Sequence, residues 1–215
     1  MFNKIETWDY LEEKLGTIEL KKFNPEVFGE VLQDALDSGQ TIYSNAYILC
    51  ANKAFGFDRK HLNQLALVKK MIQVDKVAAN ITRAHSLEEI FHILLSYPLI
   101  GNFMAYQLTI DINYSEVIDF SENDFTIAGP GAERGIRKCF IDTGNLSNAD
   151  IIRWMTENQD VNFQRLGIDL IPYRLLCNDV QREGVKSSPA LASGLLCYAP
   201  LHNIWYGVGA TIALH

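Results

Sequence analysis

The sequence predicts an all-α protein. Three observations carry that expectation: helix starts written in capping residues, apolar side chains recurring at helical spacing after them, and very little of the period-two alternation that strands require. No βαβ pattern and no Gly-rich strand-to-helix turn appears.

Along the chain, Met1 to Glu13 is acidic and amphipathic. Asn24-Pro25-Glu26 sets a capping residue before a proline at the first helical position, and Val27, Phe28, Val31, Leu32 and Ala35 follow at helical spacing until Ser38-Gly39. Further helices are expected near 41–53 and 59–74. Ser86-Leu87-Glu88-Glu89 is a capping box, with Ser86 accepting from the Glu89 N–H and Glu89 returning to Ser86. Leu87, Ile90, Phe91, Leu94 and Leu95 then form an apolar stripe. The pattern gives a helix from Ser86 to Tyr97, a tight turn at Pro98-Leu99-Ile100-Gly101, and a second helix from Asn102 to Asn113. Asp111 to Ala128 is a long polar stretch without helical periodicity and reads as an ordered loop. Helices are expected again near 132–141, from the box at Ser147 to Asp150 through Met155, and near 168–182 and 188–198. Trp205 to Ala210, glycine-rich and aromatic, has the residues to line a pocket but is expected rather to close the core against the last turn. With no repeat and no linker composition, residues 1–215 read as one helical domain, with the hairpin at 86–113 and the loop and following helix at 114–141.

Composition narrows the class. At 215 residues and 48% hydrophobic, the chain can build a core without disulfides or metals. Cys50, Cys139, Cys177 and Cys197 form no C-x-x-C pair and sit among apolar neighbours, which predicts buried free thiols. The five histidines lack metal-ligand spacing, so no metal or cofactor is expected. No apolar run is long enough to span a bilayer, and the N-terminus lacks the layout of a signal peptide. The expectation is a cytoplasmic monomer with no membrane partner. A net charge of −7 argues against a protein that coats nucleic acid. Local basic clusters remain at Arg59-Lys60, Lys69-Lys70, and Arg134 with Arg137-Lys138; each taken singly is a solvated helix face.

The turn at 98–101 between two helices has the sequence form of a helix-hairpin-helix. There a turn glycine lets backbone N–H groups at the second helix's start approach a DNA phosphate. That reading assigns Leu99, Gly101 and Asn102 to DNA backbone. Any αα-hairpin shares this outline. Downstream, Glu122-Asn123-Asp124-Phe125 precedes Gly129-Pro130-Gly131, a glycine-rich loop that feeds a basic helix. Taken alone, Asp124 could be a loop cap and the glycines an ordinary turn.

At these residues the chain resembles a family. Tyr97 to Gln107, Ile110 to Ser115, Ser121 to Phe125 and Gly129 to Lys138 look like the alpha-glutamyl/putrescinyl thymine pyrophosphorylase-like proteins. Those are grouped with the hydroxymethyl-dUMP DNA kinase helical domain, a divergent branch of the helix-hairpin-helix DNA glycosylase superfamily. The likeness extends to Ile42 to Tyr47, to Phe55-Gly56 through Leu67, and to Leu175 to Asp179. It implies a compact two-lobed helical fold of the glycosylase type and action on modified pyrimidines in phage DNA. Some members resemble transferases that replace pyrophosphate on a 5-pyrophosphoryloxymethyl uracil with an amine. Others are antiphage glycosylases that excise glucosylated hydroxymethylcytosine.

The resemblance also implies site residues. The family's essential aspartate falls near Asp124, about three residues out of register, with Asp111 as a second carboxylate. Tyr106, Gln107 and Asn113 on the hairpin's second helix, and Tyr43 and Asn45 from the N-terminal part, would line a base pocket. The plainer alternative packs Tyr106 and Leu108 in the core and leaves Gln107 and Asp111 as surface partners. Gly129, Gly131, Arg134 and Lys138 would clamp DNA backbone. Bifunctional members of the superfamily carry a lysine two residues after the turn glycine; Phe103 stands there, which implies a monofunctional glycosylase. A transferase would use Arg134, Arg137 or Lys138 against the departing pyrophosphate. A helical module that only binds DNA or a partner is the third possibility. No Walker A sequence is present.

Overall fold

A computed structural model describes residues 4–44, 52–165 and 176–177. Among them the protein is all-helical, with no strand. Its elements are α1 (Ile5–Leu15), α2 (Pro25–Asp37), α3 (Lys60–Lys69), α4 (Val77–Ile81), α5 (Leu87–Leu95), α6 (Asn102–Asn113), α7 (Pro130–Cys139), α8 (Asn148–Glu157) and α9 (Gln159–Arg165). The chain divides into two compact units. One holds the described residues up to Ala84 together with His92–Gly101; the other holds His85–Phe91 and the described residues from Asn102 onward.

The helix starts follow the local code. The Asn24 side chain accepts from the N–H groups of Glu26 and Val27 at 3.0 and 3.2 Å, with Pro25 inside the first turn. Ser147 and Asp150 close a complete capping box, each side chain bonding the other's backbone N–H at 3.1 Å. The box at α5 reaches one residue further back than expected: Ser86 Oγ accepts from Glu89, but the Glu89 carboxylate accepts from His85, not Ser86. α7 begins at Pro130, earlier than 132, because proline gives up an N–H that the first turn leaves unbonded anyway.

Three other expectations shift. The helix near 59–74 is present, but its last turn, Lys70–Val74, is π-helical. The helix expected near 41–53 is not helical where it is described, at 41–44 and 52–53. There Lys4 Nζ, from the residue before α1, donates to the Thr41 carbonyl at 2.6 Å and Thr7 Oγ1, from its first turn, to that of Ile42 at 3.0 Å, so these side chains take carbonyls that a helix would need. The expected helix near 188–198, the Trp205 to Ala210 segment, and Cys50 and Cys197 lie outside the described residues, as does all of 168–182 except 176–177. Cys139 and Cys177 are free thiols whose pKa values burial raises.

In the first unit, Leu11, Phe28, Leu32, Ala35, Ile42 and Leu65 form the core joining α1, α2 and α3. Gly29 on α2 lets Leu62 pack close there, since a Cβ would stand 2.8 Å from Leu62 Cδ2 and that side chain would have to shift. In the second, Ala132, Ile136, Ile151, Ile152, Met155 and Cys177 pack α7 on α8.

The turn at 98–101 is anchored within the first unit. Tyr97 is buried with its ring 6.0 Å from Lys70 Nζ, and Lys70 Nζ pairs with the Asp75 carboxylate at 2.9 Å. Lys70 holds the Asp75 carboxyl below the usual carboxylate range, while burial and Asp75 push the Tyr97 hydroxyl up. The residue in the left-handed region is Leu99, at φ 72°, and not Gly101. Gly101 is exposed, and a Cβ built there meets nothing within 4 Å.

Two predictions follow from this anchor. At a left-handed position the usual order of alanine over glycine inverts, so Leu99→Gly should be more stable than Leu99→Ala by about 1 kcal/mol. Equal unfolding temperatures for the two variants would show that residue 99 carries no backbone strain. Because the folded pKa of Asp75 is depressed, its contribution is present above the unfolded carboxylate pKa and is lost as pH falls through the folded value. Asp75→Asn should therefore be less stable than the parent at neutral pH, with the gap closing in acid; a gap constant from pH 7 to pH 2 contradicts this.

Candidate functional site

The segment from 114 to 129 has no regular structure of its own, so side chains must satisfy and shape its backbone. Asn113, at the end of α6, does this with both ends of its amide. Its Nδ2 donates to the Phe120 carbonyl at 2.8 Å and its Oδ1 accepts from the Phe120 N–H at 3.0 Å, closing the loop 114–120 onto the helix. The next four residues form a turn in which the Asp124 N–H bonds the Ser121 carbonyl at 3.1 Å and the Asn123 N–H meets Ser121 Oγ at 3.3 Å. Asn123 Oδ1 accepts from the Cys177 backbone N–H at 3.1 Å.

The far side of the turn is tied just as firmly. The Phe125 ring lies against Phe91 and Tyr106, with centroids 5.3 and 6.1 Å away. Thr126 is buried, and its hydroxyl meets that of the fully buried Tyr106 at 3.2 Å. Burial pushes the Tyr106 pKa up to about 12, so the group stays a neutral hydroxyl at physiological pH. Between these anchors Asp124 is exposed, its carboxylate open to solvent at the tip of a fixed turn. Asp111 is also exposed and Gln107 half-buried, one helical turn apart on α6.

α7 carries the positive charge. Gly131, Ala132, Gly135 and Ile136 are its buried side, while Arg134, Arg137 and Lys138 are exposed together at helical spacing. Among the described residues none of these three cations is in a salt bridge. Gly129 and Gly131 are buried, which sets them under the helix rather than on its open face.

In the first unit, Tyr43 is half-buried, donates to Gln64 Oε1 at 2.9 Å, and has Lys60 Nζ 4.1 Å above its ring. Asn45 lies outside the described residues. Nothing in the sequence singled out His61, Asn63 and Gln64, three buried polar side chains on α3. Asn63 bonds the backbone of Phe55, Phe57 and Arg59 and so holds the chain leading into α3. Burial, aided by Arg59, lowers the His61 pKa, and its Nε2, like Gln64 Nε2, has no hydrogen-bond partner.

A cavity of about 370 Å³ opens beside the Asp124 turn, lined by Asn123, Arg153, Thr156, Glu157, Gln159, Leu176 and Cys177. Sequence reasoning missed it because it joins residues more than fifty positions apart. Among the described residues no three His, Cys, Asp or Glu side chains gather as a metal site, and no helix is long and apolar enough to cross a membrane.

A family model described as "5-hmdU DNA kinase, helical domain" matches residues 1–183. A 5-hmdU DNA kinase of Bacillus phage SP10 is 27% identical over 165 residues, covering 67% of this chain and 26% of that protein. The chain thus spans about a quarter of the length of the curated relative it matches. No solved structure matches.

The packing under the turn can be tested by itself. Tyr106→Phe strands the buried Thr126 hydroxyl and should cost about 1–2 kcal/mol in denaturant unfolding, whereas the double change Tyr106→Phe with Thr126→Val should recover part of that loss. A double variant weaker than the sum of both singles would remove the hydroxyl pair as the anchor.

Proposed function

The chain belongs to the family of the 5-hmdU DNA kinase helical domain, and on that premise we propose that it is a monofunctional DNA glycosylase acting on 5-substituted pyrimidines. It flips a hypermodified pyrimidine, such as glucosylated hydroxymethylcytosine, out of phage DNA and excises it, leaving an abasic site. One observation carries the reading: every residue around Asp124 is tied to the fold, while its own carboxylate is left open. A carboxylate fixed in this way suits a reaction in which positive charge develops on a sugar.

In this mechanism the bond between C1′ and the base nitrogen breaks and its electron pair leaves with the base. Asp124 stabilises the cationic deoxyribose and orients a water molecule, which adds to C1′ and gives up a proton that neutralises the departed base. Arg134, Arg137 and Lys138 bind flanking phosphates as point charges and hydrogen-bond donors. The exposed Gly101, with open space where a Cβ would stand, admits close approach of a phosphate to the backbone beside α6. Residues 1–215 would act as one helical domain, as a monomer in the cytoplasm, in defence against phage.

The name of the SP10 relative, a kinase of 5-hmdU DNA, favours a second reading in which the chain takes part in building a modified base. The reaction would then be replacement of pyrophosphate on 5-pyrophosphoryloxymethyl uracil by an amine, with the α7 cations facing the leaving group.

One assay separates the two. The protein is incubated with unmodified DNA and with DNA carrying 5-hydroxymethyluracil, its pyrophosphorylated form with an amine, or glucosylated hydroxymethylcytosine. Strands are then treated with alkali and released bases identified by mass. Hydrolysis predicts alkali-labile sites and a free modified base, and Asp124→Asn should lower the rate by about 100-fold or more. Pyrophosphate release with intact strands would support the transferase instead. Undiminished base release by both Asp124→Asn and Asp124→Ala would take Asp124 out of the mechanism and pass the role to Asp111.

A further inference from the structure

We infer that the cavity of about 370 Å³ beside the carboxylate turn is the ligand pocket that Asp124 serves, and that Asn123 is the positioning residue coupling the two. This rests on the assignment of Asp124 proposed above. Asn123 belongs to both structures at once. It precedes Asp124 within the turn, lines the cavity, and through Oδ1 holds the backbone N–H of Cys177 on the cavity wall at 3.1 Å. With the two bonds to Ser121, it fixes where the Asp124 backbone stands relative to that wall.

The wall itself is set before any ligand arrives. Thr156 and Gln159 are buried, with Thr156 Oγ1 donating to the Ile152 carbonyl at 3.0 Å and Gln159 Nε2 to the Thr156 carbonyl at 2.7 Å. Arg153 is held toward Asp150 at 3.3 Å, a bond that uses one of its five N–H donors. Leu176 and Cys177 supply an apolar patch, and burial keeps the Cys177 thiol protonated, a lining group and not a nucleophile. Amide, guanidinium, hydroxyl and carboxylate groups around an apolar patch fit a planar heterocycle with a hydrogen-bonding edge. The volume falls in the range of small-ligand pockets, roughly 300–1,000 Å³. The ligand class is a nucleobase bearing a polar substituent.

The test uses the full chain and duplexes carrying 5-hydroxymethyl-2′-deoxyuridine or glucosylated hydroxymethylcytosine, with 2-aminopurine beside the target nucleotide to report its extrusion. Asn123→Ala should lower kcat for base release by about tenfold to a hundredfold while KM stays within about threefold, the pattern of a misplaced carboxylate. Asn123→Asp keeps an oxygen for the Cys177 N–H and should recover most of the rate, which a general loss of stability would not do. Leu176→Trp, at an exposed position, fills the cavity mouth and should abolish the 2-aminopurine rise, with the thermal unfolding midpoint unchanged. Wild-type kcat in Asn123→Ala, or an undiminished rise in Leu176→Trp, overturns the inference. A protein that releases no base yet shows a rise that Leu176→Trp removes overturns the hydrolytic reading and supports the pocket. A wild-type protein that gives no rise on either duplex overturns the pocket.

Discussion

The candidate site depends on the amide of Asn113. Sixteen residues, 114 to 129, cross the second unit without helix or strand, and such a stretch holds one shape only if its backbone polar groups find partners. Asn113 meets the Phe120 backbone with donor and acceptor together, as a neighbouring strand would. That closure sets the start of the turn at Ser121. Tyr106 and Phe91 then fix its end through Thr126 and Phe125. Asp124 is what remains unbound between two fixed points. These ties fix the backbone of the turn on folding, so the position of Asp124 along it is set by the fold.

The turn at 98–101 solves a different problem with a strained residue. A leucine in the left-handed region costs roughly 1–2 kcal/mol, so the surroundings must impose the conformation. Tyr97 supplies that constraint, buried beside the turn and next to the Lys70–Asp75 ion pair. Lys70 begins the π-helical turn, and Asp75 ends it with an N–H bond back to the Lys70 carbonyl at 2.9 Å. The irregular turn thereby sets both charged partners on one side, a use of π-geometry common where a helix must re-aim side chains.

These contacts also explain what the sequence could and could not tell. Caps at Asn24 and Ser147, and the proline at 130, act within three or four residues, so their sequence spacing is their spatial arrangement. The Ser86 box was legible for the same reason, although its glutamate chose the N–H of His85 over that of Ser86. The turn at 98–101 could be located, but no local pattern marks Leu99 as its left-handed residue, a conformation that the surrounding packing at Tyr97 imposes. The region at 41–44 failed because its carbonyls are claimed by Lys4 and Thr7, more than thirty residues away. Asp124 was found by resemblance alone; what makes it distinctive, the ties through Asn123 to Cys177 and through Phe125 to Phe91, spans distances that no local pattern encodes.

Charge sets the last constraint on how such a site would be used. The chain carries −7 overall, yet three exposed cations share one side of α7. At physiological salt, charges farther than about 8 Å are largely screened, so DNA at contact feels those three and little of the net repulsion. Three neutralised phosphates correspond to a salt slope of only about −2.7, far below that of proteins held by backbone contacts alone. Binding of the proposed DNA partner through this face alone would therefore be weak and sequence-blind. For such a protein to dwell at one nucleotide, most of the discriminating free energy has to come from the extruded base and its substituent. That requirement fits a chain with a polar cavity lined by Asn123, the neighbour of Asp124 in the turn.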